Sequence, residues 1–322
     1  MKNTEINRRT FIGASLSTVS TSISLSAFAQ SGNGSINGNT TNNTLPCGSI
    51  RGLKVSRLLL GGNLLTHFTH SRDLKYVYNL CAHYNTPQKI VETMQLAEKQ
   101  GINTLVIHTV PNILKILEDY RFKKGGKIQW IICPTAYPDV DFDLYKEQVK
   151  QLIDIGLDAL YLWGVTADRL VREKKISVIK KAVELGKENA LPSGVGAHDL
   201  EVIKVCEKEK IEADFYIKTF HHHNYPTAPQ KEQLVEPYTE IPGYWCKDPD
   251  ETIQVMKDIA VPWIAFKVMS AGAIPPEDAF PYVFNNGADH ILAGMFDFEI
   301  EQDVQIARKA VESATRERPW RS

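Results

Sequence analysis

The sequence has no charge excess: 37 Lys and Arg stand against 38 Asp and Glu, a formal net of −1. Nucleic-acid binders carry a basic surplus, so that class is excluded. Long apolar runs are missing as well. None reaches the roughly 18 residues that span a bilayer, so no transmembrane helix is expected. Cysteine is sparse, with Cys47, Cys81, Cys133, Cys206 and Cys246 in no zinc-ribbon spacing. Most are expected to be buried thiols, and their pairing stays open. The turn fingerprint GxGxxG is absent too. Gly61-Gly62-Asn63 follows the first apolar strand without it, and Gly194-Val195-Gly196-Ala197 supplies two of its three glycines. That argues against a doubly wound sheet. What is present is ordinary for a globular chain, 43% hydrophobic and 23% charged, which excludes disordered, coiled-coil and collagen-like chains.

The N-terminal residues read as an address rather than as fold. Residues 7–13 (NRRTFIG) resemble the twin-arginine export motif, an apolar stretch rich in Ser and Thr follows over 11–27, and Ala27-Phe28-Ala29 has the small-x-small pattern of a signal-peptidase site. The resemblance implies a signal over 1–29, export of the folded chain by the twin-arginine machinery, and a periplasmic or otherwise exported location. Residues 30–51 then read as a low-complexity linker, with little apolar mass to bury. Cys47 lies too far from the apolar segment for lipid acylation. The folded part is expected over 52–315, with 316–322 as a tail.

From residue 52 onward, short apolar strands alternate with amphipathic helices. The strands fall at 57–61, 104–108, 128–133, 159–163, 194–197, 215–220, 263–268 and 290–294, without polar alternation, as parallel strands buried on both faces require. Helix signals lie between them. Thr86 followed by Pro87 is a cap and first-turn pair. Helices are further expected around 144–153, 171–185, 200–206, 252–259, 276–285 and 304–311. Gly101, Gly156 and Gly287 stand where a helix needs a left-handed stop before the next strand. Eight such units predict an α/β fold, a single-domain (β/α)8 TIM barrel.

In that fold the active site lies at the C-terminal ends of the strands. The rule selects Asn63, His108, Trp163, His198, the run His221-His222-His223, Lys267 and Asp297. Seven of the nine histidines fall in these loops. Imidazole is both a base near neutral pH and the commonest metal ligand. Two mechanisms follow. In one, His198, His221 and His223, joined by His108 or Asp199, hold a divalent metal of unknown identity. In the other, histidines and Lys267 act directly as acid and base. Consecutive residues alternate in direction, so at most two of His221–His223 can face one pocket. Lys267 sits in an apolar strand and needs a charge partner, for which Asp297 is the candidate. His67 and His70 flank a polar loop and read as surface residues. The long loop 221–248 after the sixth barrel strand holds Tyr225, Tyr238, Tyr244 and Trp245 among four prolines, and reads as a lid. Catalytic roles therefore fall on His198, His221, His223, Lys267 and Asp297. Substrate contacts fall on Asn63, His108, Trp163, Tyr225 and Trp245.

Several segments resemble the aldo-keto reductase superfamily: Val55-Ser56-Arg57-Leu58 through Gly61-Gly62, Gly101-Ile102-Asn103, residues 157–162 (LDALYL), Gly194-Val195-Gly196-Ala197-His198 and residues 291–295 (ILAGM). The resemblance covers most of 52–315 and implies the barrel and its strand order. The reductase residues themselves are missing. The slot of the family's Asp reads Val106, its Tyr-Gly pair is absent from His108-Thr109-Val110-Pro111, its strand-three Lys is replaced around Cys133 and its strand-four His by Trp163. The loop that meets the cofactor phosphate reads Phe296-Asp297-Phe298-Glu299, and acidic groups repel a 2′-phosphate. The resemblance thus implies the fold and argues against NADPH. The expected function is an exported barrel enzyme acting on a carbohydrate or keto-sugar as lyase, isomerase or hydrolase. The alternatives are an NAD(P)-dependent oxidoreductase and a non-catalytic sugar-binding barrel.

Overall fold

A computed structural model describes residues 45–72, 74–234 and 246–322. The twin-arginine motif, most of the linker, and Tyr238, Tyr244 and Trp245 lie outside the described residues. Eight parallel strands close into a barrel: β3 (Leu58–Gly61), β4 (Thr104–His108), β5 (Gln129–Cys133), β6 (Ala159–Leu162), β7 (Ser193–Ala197), β8 (Phe215–Thr219), β9 (Trp263–Phe266) and β10 (His290–Ala293). They pair in chain order, and β10 closes the ring on β3. These are the eight apolar runs read from the sequence. No helix among the described residues is long and apolar enough to cross a membrane.

Side-chain alternation splits each strand between two cores. Leu59, Val106, Ile131, Ala159, Phe215, Ile217 and Ile264 fill the barrel. Leu60, Leu105, Trp130, Leu160, Tyr216 and Trp263 face the outer helices. Those helices are α1 (Tyr76–Tyr84), α2 (Pro87–Lys99), α3 (Pro111–Glu118), α4 (Phe142–Asp154), α5 (Gly164–Arg172), α6 (Ile176–Glu188), α7 (Leu200–Lys208), α8 (Pro249–Asp258), α9 (Pro276–Asn285) and α10 (Asp297–Glu312). Thr86 caps α2 by accepting from the Lys89 amide. Gly101, Gly156 and Gly287 take φ of 93°, 94° and 101°, the left-handed stops that their positions require.

The ends of the folded unit differ from the sequence reading. Cys47–Ile50, assigned to the linker, forms β1, which pairs antiparallel with β2 (Leu53–Ser56). Ile50 and Val55 of this hairpin plug the lower end of the barrel core. The residues at 316–322 are not a loose tail either: Arg318 is buried, and its guanidinium bonds Asp289. One expected helix over 171–185 is two, α5 and α6, broken where Lys174 turns to φ 58°. The cysteines form no disulfide, and Cys81, Cys133, Cys206 and Cys246 are buried thiols.

Candidate active site

A cavity of about 910 Å³ opens at the C-terminal ends of the strands. Val106, Tyr161, Ile217, Phe266 and Leu292 form its apolar floor; Asn63, His108, Trp163, His198 and Lys267, all selected from sequence, line it above. Its size suits a small molecule.

His198 follows β7 and is 6% exposed. Its Nδ1 lies 2.8 Å from Asp168 Oδ2. Asp168, on α5, is itself fixed, because its Oδ1 accepts from the backbone amides of His198 and Asp199 at 3.1 and 3.0 Å. This close meeting depends on glycine. A Cβ on Gly196 would come within 2.8 Å of the Gly164 nitrogen, so only a bare backbone lets α5 lie against β7. His198 thus lines the cavity through a ring whose Nδ1 is held by Asp168. Burial lowers the His198 pKa below the ordinary histidine value, and the nearby Asp168 opposes that only in part. The ring is therefore a neutral base near neutral pH. Asp199, a sequence candidate for this contact, instead caps α7 through the Glu201 amide.

Lys267 faces the same cavity by a different device. Phe266 and Lys267 are consecutive and both line it, which an extended strand forbids. Lys267 takes φ 57°, a left-handed conformation costing a non-glycine residue roughly 1 kcal/mol or more. Strain of this kind persists where the surroundings hold it, often at functional sites. The ammonium donates to His70 Nε2 at 2.7 Å. Burial first, and then the Lys267 charge, push the His70 pKa down to about 2, so that ring stays neutral. The polar loop around His70 predicts a surface residue, yet His70 belongs to the cavity wall. Residues 68–72 contribute to that wall, which no local pattern reveals. His108 stacks on Trp163, with ring centroids 6.1 Å apart, and burial lowers its pKa. Cys133 is no nucleophile, since burial pushes its thiol up to about 12.

Four sequence assignments require correction. Asp297 does not partner Lys267: it accepts from Tyr84 at 2.6 Å and from Lys89 at 3.0 Å, outside the cavity wall. His221 and His223 do not line the cavity. The chain leaves the barrel after Thr219, so His221 Nδ1 donates to the His222 carbonyl and His223 Nε2 to the Cys246 carbonyl. Consequently His198, His221 and His223 do not converge, and among the described residues no three His, Cys, Asp or Glu side chains are placed to hold a metal. Tyr225 supports rather than lines the site, bonding Ser270 at 2.9 Å within the strained loop that carries Lys267. Asp168 was missed altogether, because it sits mid-helix 30 residues from its partner.

No protein-family profile and no curated protein matches the sequence. Solved structures do match. A putative aldo-keto reductase from Pseudomonas aeruginosa shares 16% identity at TM-score 0.57, over 85% of this chain and 99% of its own. An aldo-keto reductase from Bacillus halodurans, in its holo form, shares 13% at TM-score 0.55, over 86% and 100%. These likenesses show the (β/α)8 barrel fold. A mandelate oxidase variant matches as well, at 12% identity and TM-score 0.50, over 85% and 80%. The shared barrel therefore spans different chemistries, and the site must decide this one.

The cavity wall beside β10 and α10 offers two acidic side chains, Glu299 and Asp303, and the same lining includes Arg72 and Lys267.

The buried imidazoles make stability depend on pH. Burial holds His221 at about 3 and His290 at about 4, beside His70 at about 2. Unfolded, each takes a proton near pH 6.5, whereas the folded rings do not until far lower. The unfolded chain therefore binds more protons between pH 6.5 and 4, and folding stability falls as pH drops through that window. Asp303, raised to about 7 by burial, works in the opposite sense, losing its contribution as pH rises towards 7. Three rings outweigh one carboxyl. Urea midpoints measured from pH 7 to 4.5 should decline steadily; a flat or rising series contradicts this.

Proposed function

We propose that this protein is an enzyme that moves a proton next to the carbonyl of a small hydroxy-carbonyl compound, a sugar or keto-sugar, as an isomerase or lyase. The observation that carries the reading is one cavity holding both the Asp168–His198 pair and the Lys267–His70 pair. His198 Nε2 removes the proton from the carbon beside the carbonyl. The electron pair moves onto the carbonyl oxygen, and the Lys267 ammonium faces the charge that develops there. Returning that proton to the former carbonyl carbon, while the proton of the neighbouring hydroxyl passes to the enolate oxygen, isomerises the substrate; alternatively the enolate expels a β-hydroxyl, which takes the proton from His198 and leaves as water. The apolar floor and the His108–Trp163 stack supply flat faces for a sugar ring. Neutral His70 receives one Lys267 N–H and orients the ammonium without competing for the proton.

We place the reaction outside the cytoplasm on the Arg8-Arg9 motif alone. The test is hydrogen exchange in D2O against aldoses, ketoses and keto-sugar acids with no cofactor added. Deuterium at the carbon beside the carbonyl, lost in Lys267→Met, is the expected result. No exchange with any member, together with turnover only when NADH or NADPH is supplied, would replace this reading with a reductase.

A further inference from the structure

One part of the cavity wall, on α10, has a chemistry of its own. Asp303 of α10 lies on its wall and is only 5% exposed. Among the described residues, no hydrogen bond or ion pair reaches its carboxyl. Buried carboxylates are otherwise paired, because loss of water is costly. The groups nearest in charge are also acidic. Glu299, one turn earlier, shares the wall; its Oε2 accepts the Phe296 amide at 2.7 Å, which leaves its charge unneutralised. Glu277 of α9 stands behind, accepting from Gln302 at 3.1 Å. Lys89 of α2 is committed to Glu92 and Asp297.

We propose that Asp303 and Glu299 form a subsite for a protonated amine, so that the substrate is an amino-bearing hydroxy-carbonyl compound such as an amino sugar. A hydroxyl would give Asp303 a donor but no charge. An ammonium gives both, and the attraction of two carboxylates is strongest where water is excluded. Burial and the two glutamates raise the Asp303 carboxyl to about 7 in the empty cavity. A bound ammonium reverses that by favouring the ionised form. The same cavity then offers the Lys267 ammonium to the carbonyl and the two carboxylates to the amine. This deepens the proposed reaction by naming its substrate class.

The experiment is calorimetric titration of the full chain with glucosamine, glucose and N-acetylglucosamine, which differ only in carrying an amine, a hydroxyl or a neutral amide. Glucosamine should bind at least about tenfold more tightly than either neutral sugar. Asp303→Asn, which conserves volume, should abolish the preference, and Glu299→Gln should reduce it even if the first variant folds poorly. His198→Ala should keep it, so failure of the proton-transfer reading and failure of this one are separable. Equal binding of the three sugars, binding of none at millimolar concentration, or an unchanged preference in both acidic-site variants overturns the proposal.

Discussion

Asp168→Asn is expected to lower kcat by about 10²- to 10⁴-fold, the range for a positioned acid–base group, with a much smaller change in KM. The reason is the tautomer. Asp168 accepts at Oδ2 from the His198 ring and at Oδ1 from two backbone amides. In the Asn variant, the amide oxygen keeps the backbone bonds and the NH2 turns to the ring. Nδ1 must then accept, the ring proton moves to Nε2, and the nitrogen facing the substrate is no longer a base. His198→Ala should lose as much. In the wild type, the acid limb of the pH–rate profile should lie below pH 6.5, because the folded ring is harder to protonate than a free one. Thermal unfolding and the near-UV spectrum check that the variant is folded. A folded Asp168→Asn enzyme with wild-type kcat ends the assignment of His198 as the base.

At the opposite end of the barrel, Arg318→Ala should destabilise the fold by about 3–5 kcal/mol, lowering Tm by roughly 10 °C. Arg318 is 3% exposed and donates to the carbonyls of Met256, Gly287, Ile259 and Val261 as well as to Asp289 at 2.6 Å. Asp289 is fully buried, and it also accepts from the Trp263 and Arg321 amides at 2.9 and 2.8 Å. Removing the guanidinium strips a buried carboxylate of its main counter-charge and leaves four carbonyls short of a donor. Arg318→Lys should rescue little, since one ammonium cannot span a planar fork's five directions. Turnover per folded molecule should not change, because the network closes the barrel end away from the cavity. A loss under about 1 kcal/mol would mean that the C-terminal residues do not fasten β9 and β10.

The comparison of sequence and structure divides along physical lines. Strands of four or five apolar residues, set apart by capped helices and left-handed glycines, were legible because each signal is local. So was the grouping of Asn63, His108, Trp163, His198 and Lys267, because closing a parallel barrel sends every strand end to one mouth. The errors arose where the chain leaves the strands. His221 and His223 follow β8 by only a few residues, yet neither lines the cavity, and one ring nitrogen of each is spent on a nearby carbonyl. His70 moved the other way, from an apparently polar loop into the cavity.

Partner choice was the least legible. Lys267 demanded a partner, but nothing in the sequence selects His70, 197 residues away, over Asp297, which Tyr84 and Lys89 had already claimed. Asp168 shows the same limit, because its role depends on the close approach of Gly164 to Gly196. The order of apolar and polar residues along the chain determined the closed ring and the set of groups around its mouth. Which of those groups touch was decided by the packing of helices and loops on that ring, because hydrogen bonds reach only about 3 Å and residues far apart in sequence come within that reach only in the folded molecule.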